Sequence, residues 1–316
     1  MLADLGLVVA GLALLTLSAD RFVVSAARLS RLWGLSPILI GAVVVGLGTS
    51  LPEMLVSGLA AADPGGLDLA LGNVVGSNIA NLTLVLGIST LISPMAGQRR
   101  IIRREGMAML VGSAALTGLA WNGDLLFLEG AILAAGMVVA LGLLYRWSLI
   151  DAADGELDAG FEDPTDGQVI RPNREVLLGI GALALTLLGA RLLVDGAKGV
   201  AGGLGVSGGL IGLTLVAVGT SLPELATGIA AARRHENDLV LGNVLGSNLF
   251  NALAVGGVSA MIGNGQLEAD FRGSLLAMLV ISAVAGLLSS TQNRLQRWEG
   301  ALLLAAYPVA IVLARV

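Results

Sequence analysis

Residues 36–53 read SPILIGAVVVGLGTSLPE, and residues 207–224 read SGGLIGLTLVAVGTSLPE. A second block follows each copy, because residues 71–81 read LGNVVGSNIAN and residues 241–251 read LGNVLGSNLFN. The first pair is offset by 171 residues and the second by 170, since the first copy has one extra residue in the connection near Asp63–Gly66. The chain therefore contains two copies of one unit, and each copy carries an acid and several amides within apolar sequence.

The composition around these blocks predicts a membrane protein. Of 316 residues, 55% are hydrophobic and 13% are charged, and the mean hydropathy is +0.86. An average soluble domain is about 25% charged. Only 3% of the residues are aromatic and 45 are glycine, which favours closely packed helices over an aromatic-girdled barrel. We therefore predict an all-α polytopic membrane protein.

The apolar segments number ten, and each is long enough to cross a bilayer, which takes about 20 residues of helix. They lie at residues 3–29, 36–62, 68–94, 103–121, 125–146, 176–203, 207–232, 238–263, 273–289 and 298–314. This count predicts ten transmembrane helices.

One polar segment, residues 151–175, divides these helices five and five. We therefore expect a first repeat at residues 1–150 with its block at 36–81, an acidic linker, and a second repeat at 176–316 with its block at 207–251. Because five is an odd number, the second repeat enters the membrane in the opposite direction. Two inverted five-helix repeats are a pattern of secondary transporters.

Basic residues predict the orientation. With the N-terminus outside, thirteen arginines fall on the cytoplasmic side and three basic residues on the other. No basic region precedes the first apolar segment, which is therefore expected to be a retained span. We predict a multi-pass protein of the cell (cytoplasmic) membrane with both termini outside and the linker in the cytoplasm.

Charge and cysteine content exclude several functions. The linker has eight acids and two arginines, a net charge of −6 against −5 for the whole chain, so the remainder carries only +1 and no basic surface is left for nucleic acid. Cysteine is absent, which excludes thiolate catalysis and cysteine metal sites. No protein partner is implied.

Glu53 and Glu224 are the acids of the repeated GTSLPE motif, and each lies well inside an apolar segment. An ionisable side chain at membrane depth indicates a functional site. Pro52 and Pro223 remove backbone donors and free carbonyl oxygens four residues earlier. The sequence therefore predicts a broken helix in each copy, with further hydroxyl oxygens from Thr49, Ser50, Thr220 and Ser221.

The second block adds a polar stripe. Asn73, Ser77 and Asn81 are spaced four residues apart and share one helix face, and the same spacing recurs at Asn243, Ser247 and Asn251. Asn73 and Asn243 serve equally well as contacts between helices. Oxygen ligands without sulfur or histidine suit hard cations such as Ca²⁺, which takes six to eight oxygens. Two carboxylates carry the charge that one Ca²⁺ neutralises, and Na⁺ uses the same ligand type.

These paired GTSLPE and GNxxGSNxxN blocks resemble the two alpha repeats of sodium/calcium exchangers of the prokaryotic ten-helix type. The resemblance implies an antiporter without a resident cofactor, in which the first and sixth helices slide across the core. It implies that Glu53, Glu224 and oxygens of Thr49 and Thr220 bind Ca²⁺. It also implies Na⁺ sites formed by Ser50, Ser77, Asn81, Ser221, Ser247 and Asn251.

The chain departs from the family pattern at one place. Many relatives have aspartate where this chain has Asn251, so this site has one acid fewer. The cation/proton branch generally has a glutamate in its GN block, and both blocks here lack an acid, which favours Na⁺ as the counter-ion. Ca²⁺/H⁺ exchange through the same two glutamates is the alternative.

Other classes of function fit the sequence less well. A serine protease within the membrane needs a base, but His235 lies in a predicted loop and the only lysine, Lys198, is near a helix end. An aspartyl protease would need Asp20 and Asp195 to meet. An ion channel is a further alternative. A channel would show conductance, whereas an antiporter shows saturable counter-flow. We expect an antiporter and no enzyme, and we favour a structural ion pair between Arg191 and Asp195 over a role in ion entry.

Overall fold

The computed structural model describes residues 2–96, 99–153, 171–204, 217–267, 271–291 and 294–314. Three predictions fall partly outside these ranges: linker residues 154–170, residues 207–216 of the seventh predicted span, and the terminal residues at both ends.

Helices account for most of the described chain. We number them α1 (Leu2–Trp33), α2 (Pro37–Thr49), α3 (Leu51–Ala62), α4 (Leu67–Ile92), α5 (Arg99–Leu119), α6 (Phe127–Ala153), α7 (Pro172–Gly203), α8 (Ala217–Thr220), α9 (Leu222–Arg233), α10 (Asn237–Gly263), α11 (Phe271–Thr291) and α12 (Arg297–Ala314). Short strands are β1 (Met95–Ala96), β2 (Asp124–Leu125), β3 (Gly265–Gln266) and β4 (Arg294–Leu295).

Six helices of the described ranges are long and apolar enough to cross a membrane, namely α1, α4, α6, α7, α10 and α11. The bent pair of α2 and α3 makes a seventh when it is counted as one span. Helices α5 and α12 lie at the predicted fourth and tenth spans, and α8 and α9 lie within the predicted seventh. The prediction of a mostly helical membrane protein is confirmed.

The first GTSLPE motif interrupts its helix as predicted. Ser36 caps α2 by accepting a hydrogen bond from the Leu39 backbone N–H at 3.1 Å. The axes of α2 and α3 then differ by 46°, and the residue between them, Ser50, has a non-helical conformation with φ −84° and ψ 7°. Ser221 has nearly the same conformation, φ −88° and ψ 6°, between α8 and α9. Both breaks therefore follow from the same local sequence, in which proline cannot donate to the preceding turn.

Helices α4 and α10 form the centre of the molecule. In the most apolar 18-residue stretch of each helix, 78% and 89% of the residues are buried, respectively. Helix α3 packs on α4 and α9 packs on α10, but α2 packs on α10 and α8 on α4. Each broken helix therefore contacts the central helices of both halves, which brings the two GTSLPE motifs together.

Helices α1 and α7 lie side by side at the periphery. Only 22% and 28% of the residues in their most apolar 18-residue stretches are buried. Glycine permits their close approach, because a Cβ on Gly189 would lie 2.6 Å from the Leu15 nitrogen. Helix α1 also contacts α9. The two helices thus pack tightly against each other, and the pair lies against the core along one side.

Two short antiparallel strand pairs join the halves of the chain. Strand β1 pairs with β4, with Met95 opposite Leu295. Strand β2 pairs with β3, with Asp124 opposite Gln266. Each pair has one strand before residue 150 and one after residue 176, so neither half completes its own pairing.

The ends of the predicted linker belong to helices. Asp151 lies in α6 and Glu175 in the first turn of α7, with exposures of 0% and 4%. Arginines neutralise both acids: Arg104 binds Asp151 through two hydrogen bonds of 3.1 and 2.5 Å, and Arg21 lies 2.5 Å from Glu175. These arginine partners allow both acids to be buried. The number of charges in the sequence did not predict this burial.

Candidate ion-binding site

The two glutamates of the repeated motif are buried and held by the opposite half of the chain. Glu53 is 0% exposed and Glu224 is 1% exposed. Ser221 Oγ donates to Glu53 Oε1 at 3.3 Å, and Ser50 Oγ donates to Glu224 Oε1 at 2.8 Å. These reciprocal bonds exist because each serine occupies the helix break that faces the other motif. The structure thus brings both acids and both serines into one cluster, which we call the carboxylate site.

Each carboxylate of this site has one oxygen without a hydrogen-bond partner in the part of the chain that the structure describes. Within the described residues, Glu53 Oε2 and Glu224 Oε2 are buried and accept no hydrogen bond. Ser77 Oγ lies 3.5 Å from Glu53 Oε1, so it joins the same carboxylate oxygen that Ser221 binds. Buried polar atoms normally have partners, and these two oxygens are therefore available to a ligand that supplies positive charge.

The two threonines lie at the ends of the first helix segments, next to the serines. Thr49 Oγ1 donates to the Val45 carbonyl at 2.9 Å and lies 3.4 Å from Asn243 Oδ1. Thr220 Oγ1 lies 3.5 Å from Asn73 Oδ1. Each threonine therefore contacts the polar stripe of the other half.

Asn73 and Asn243 brace the broken helices. Asn73 Nδ2 donates to Ser57 Oγ at 3.0 Å, and Asn243 Nδ2 donates to Thr227 Oγ1 at 3.2 Å. Their amide groups also lie within 3.5 Å of the Glu53 and Glu224 carbonyl oxygens. Sequence reasoning left the role of both asparagines open. Their contacts assign them to positioning, since they tie the backbone of each glutamate to a central helix.

The other stripe residues lie between α4 and α10, where two further asparagines form a bridge. Asn78 Nδ2 donates to the Asn248 carbonyl at 3.3 Å, and Asn248 Nδ2 donates to the Asn78 carbonyl at 3.2 Å. Asn81 Nδ2 donates to Asn248 Oδ1 at 3.0 Å. Ser247 Oγ reaches the Gly46 carbonyl at 3.3 Å. The central helices are thus hydrogen-bonded through their polar faces.

Asn251 differs from its counterpart in the first half. It is fully buried, and neither its Oδ1 nor its Nδ2 has a hydrogen-bond partner among the described residues. Asn81 has one atom, Oδ1, without a partner in the same described ranges. Short π-helical turns begin at both asparagines, Asn81–Val85 and Asn251–Val255, and such turns occur frequently at functional sites. The two stripes are therefore alike in backbone but unlike in hydrogen bonding.

The donor set suits a hard cation. In the described part of the chain, no group of three or more His, Cys, Asp or Glu side chains is close enough to hold a metal ion. A cation at the carboxylate site would therefore need hydroxyl, amide or carbonyl oxygens besides the two carboxylates. Ca²⁺ and Na⁺ accept such mixed oxygen ligands.

Several charged residues outside the site were missed or incompletely assigned from sequence. Asp20 receives two hydrogen bonds from Arg234, at 2.7 and 2.6 Å, which link α1 to the end of α9. Arg191 and Asp195 form the expected pair, at 3.6 Å. No local spacing indicates the Asp20 contact, because its partner is more than 200 residues away in the chain.

Fold and site together define an ion-transporting membrane protein, and comparison with known proteins identifies its family. The family model described as sodium/calcium exchanger protein matches residues 4–146 and 175–316. The chain therefore belongs to the sodium/calcium exchanger family and is a membrane cation/calcium exchanger. This confirms the family resemblance deduced from the paired motifs.

Individual relatives agree with this assignment. The chain is 38% identical over 295 residues to the inner membrane protein YrbG of Escherichia coli (strain K12), covering 91% of this chain and 89% of that protein. It is 30% identical over 340 residues to the sodium/calcium exchanger MaX1 of Methanosarcina acetivorans, covering 96% and 95%. Its structure is similar to that of the sodium-calcium exchanger NCX_Mj soaked with Na⁺ and Ca²⁺, with a TM-score of 0.85, 31% identity, and coverage of 99% and 98%.

Proposed function

We propose that this protein exchanges Na⁺ for Ca²⁺ by alternating access, with inward Na⁺ movement driving Ca²⁺ outward. The observation that carries the proposal is the carboxylate site, in which each glutamate has one oxygen bound to a serine of the opposite half and one oxygen without a partner among the described residues. This site lies where the two repeats meet, and it offers carboxylate oxygens to a cation. It is therefore suited to hold one ion species at a time.

We assign the ligands by their positions in this cluster. Glu53, Glu224, Thr49 and Thr220 bind Ca²⁺ in this proposal. The Na⁺ ligands are Ser50, Ser77, Asn81, Ser221, Ser247 and Asn251. Their burial supports the assignment, since all ten side chains are at most 8% exposed. Threonine carries no charge, so Thr49 and Thr220 bind the cation in this proposal through their backbone or hydroxyl oxygens.

The proposed membrane arrangement has ten spans in two inverted repeats, with both termini outside and residues 151–175 in the cytoplasm. The strand pairs support the inversion, because β1 and β2 recur as β3 and β4 at an offset of 170 residues and each pair joins non-equivalent strands. A two-fold axis within the membrane plane relates the two pairs in this arrangement.

The peripheral pair of α1 and α7 is the proposed moving part. Its glycine-lined contact and its low burial support movement of the two helices as one body. The Asp20–Arg234 hydrogen bonds then hold one position of that body against the core.

The test is ⁴⁵Ca²⁺ uptake into proteoliposomes that contain the full chain, with and without an opposing Na⁺ gradient and then with a H⁺ gradient alone. We expect uptake to depend on Na⁺ and to saturate. Uptake driven by H⁺ and indifferent to Na⁺ would replace the proposal with Ca²⁺/H⁺ exchange through the same glutamates. Current without counter-flow would indicate a channel.

A further inference from the structure

The contacts between α1 and α7 follow the sequence repeat. A Cβ on Gly189 would lie 2.6 Å from the Leu15 nitrogen, and Thr186 Oγ1 donates to Ser18 Oγ at 3.0 Å. The offset of 171 residues between the two copies converts one of these contacts into the other, because it relates Leu15 to Thr186 and Ser18 to Gly189. The same offset can therefore be used to compare how each helix of this pair meets the core.

Four charged residues occupy equivalent positions in the two halves. The offset relates Asp20 in α1 to Arg191 in α7. It also relates Asp63 to Arg234, which are the residues that directly follow α3 and α9. An ion pair between α1 and the end of α9 thus has a possible counterpart between α7 and the end of α3, with the signs of the charges reversed.

Only the first of these two ion pairs is formed in the described part of the chain. Arg234 donates to both oxygens of Asp20, at 2.7 and 2.6 Å. Arg191 instead lies 3.6 Å from Asp195 on its own helix, and no ion pair joins it to Asp63 within the described ranges. Its side chain is 81% exposed, so it is free to meet another acid.

A cavity separates the two helices of the missing ion pair. It has a volume of about 860 Å³ and lies between α3 and α7, where Leu59 and Val194 are among its lining residues. On the equivalent side of the molecule α1 contacts α9 directly. Leu59 is 72% exposed but its equivalent Ala230 is 7% exposed, and Val194 is half-buried but its equivalent Val23 is 1% exposed. One side is therefore closed and the other is open.

We propose that Arg191 and Asp63 form an ion pair in the opposite access state, in which α7 packs on α3 and the Asp20–Arg234 hydrogen bonds are broken. The inference rests on the alternating access proposed above and adds the contact that stabilises its second state. Because α1 and α7 pack tightly on each other and move as one body in that proposal, closing one side opens the other. Each state then has one ion pair between the peripheral helices and the core.

The test measures the accessibility of a single cysteine in the full chain, which has none of its own. Val23→Cys is buried in the described state and becomes exposed when α1 leaves α9. Its rate of labelling by a polar maleimide in nanodiscs, where both membrane faces are in solution, therefore reports the population of the opposite state. Val194→Cys is the reciprocal reporter, because closure of the cavity buries it.

Neutral substitutions of the two acids should shift this population in opposite directions. An ion pair at an exposed position changes an equilibrium up to about fivefold. Asp20→Asn should therefore raise the labelling of Val23→Cys up to about fivefold, and Asp63→Asn should lower it by a similar factor. Val194→Cys should respond in the opposite sense. Asparagine is also favoured at the first position of a turn, so Asp63→Asn preserves the turn 63–66 and removes only the charge.

A double-mutant cycle assigns the effect to the proposed pair. In a protein that already has Arg191→Gln, Asp63→Asn should cause no further change in labelling, because the partner is gone. Asp124→Asn is the matched control, since this half-buried acid lies on the same proposed side of the membrane and forms no ion pair among the described residues. The control should label like the unsubstituted reporter protein.

The outcomes separate this inference from the function on which it rests. Opposite shifts by Asp20→Asn and Asp63→Asn, with the second abolished by Arg191→Gln, support the ion pair. Labelling that responds to Asp20→Asn but not to Asp63→Asn overturns the ion pair and leaves alternating access standing, as does an Asp63→Asn effect that persists without Arg191. If Val23→Cys is labelled only after denaturation in every variant, α1 does not leave α9, and both proposals are overturned.

Discussion

Replacing either glutamate of the carboxylate site by glutamine should nearly abolish Ca²⁺ binding. In the proposed wild-type site two carboxylates meet one Ca²⁺, and the buried complex is neutral. In Glu53→Gln or Glu224→Gln only one carboxylate remains, so the complex carries one uncompensated positive charge. Removing one partner of a buried ion pair costs about 3 kcal/mol or more, which corresponds to at least a roughly hundredfold loss of affinity.

Removing the serine that binds Glu224 should give a smaller loss of Ca²⁺ affinity, with which the hundredfold loss can be compared. Ser50 Oγ donates to Glu224 Oε1 at 2.8 Å, and a hydrogen bond to a charged group contributes about 1.5 kcal/mol or somewhat more. Ser50→Ala should therefore weaken Ca²⁺ binding about tenfold, because the hydroxyl is lost while both charges remain. Ser50→Ala and Glu224→Gln thus separate the effect of the hydrogen bond from the effect of the charge at the same carboxylate.

The assay is calorimetric titration of the purified full chain with Ca²⁺ in Na⁺-free buffer. Glu129→Gln is the matched control, since this glutamate only caps the start of α6 by accepting from the Leu126 N–H at 3.2 Å. The control should bind Ca²⁺ like the wild type. Affinity within threefold of wild type in a folded Glu53→Gln or Glu224→Gln protein would refute the charge argument.

Four further changes test other parts of the structure. Pro52→Ala should weaken Ca²⁺ binding about tenfold by letting the helix close its break, and unchanged calorimetric affinity would reduce the proline to a packing role. Asn251→Ala should shift the Na⁺ dependence of ⁴⁵Ca²⁺ flux more than Ca²⁺ affinity, and Asn251→Asp should make flux pH-dependent; curves that coincide with wild type would remove this residue from the Na⁺ site. Arg104→Met should lower stability by about 3 kcal/mol because Asp151 remains buried without its partner, as thermal unfolding would measure, and an unchanged Tm would contradict that. Burial raises the pKa of Glu236 from 4.5 to about 7, so its contribution to stability is full below pH 4.5 and is lost as the pH rises through about 7; Glu236→Gln should flatten the stability profile in that window, and a parallel profile would exclude this group.

Local sequence predicts the broken helices and the polar stripes. Proline and the small polar residues before it act within one or two turns, so the breaks at Ser50 and Ser221 follow from the motif itself. The repeat of that motif also indicates that both copies share one function.

Contacts between distant parts of the chain could not be predicted in this way. We expected Asp151 and Glu175 to belong to an acidic linker, and both are buried in helices against arginines. The two stripes have the same residue types, yet Asn81 donates to Asn248 while Asn251 has no partner within the described ranges. Side-chain pairing of this kind depends on packing between helices, which spacing within one helix does not specify.

The exchange of strands between the halves has a consequence for biosynthesis. The first half leaves the ribosome with β1 and β2 unpaired, because their partners β4 and β3 lie at the far end of the chain. The polar face of α4 also waits for α10, since Asn78 and Asn81 bond to Asn248. Unsatisfied polar groups are costly in lipid, so the first half is an incomplete intermediate within the bilayer. Its final structure forms only when the second half has been inserted beside it.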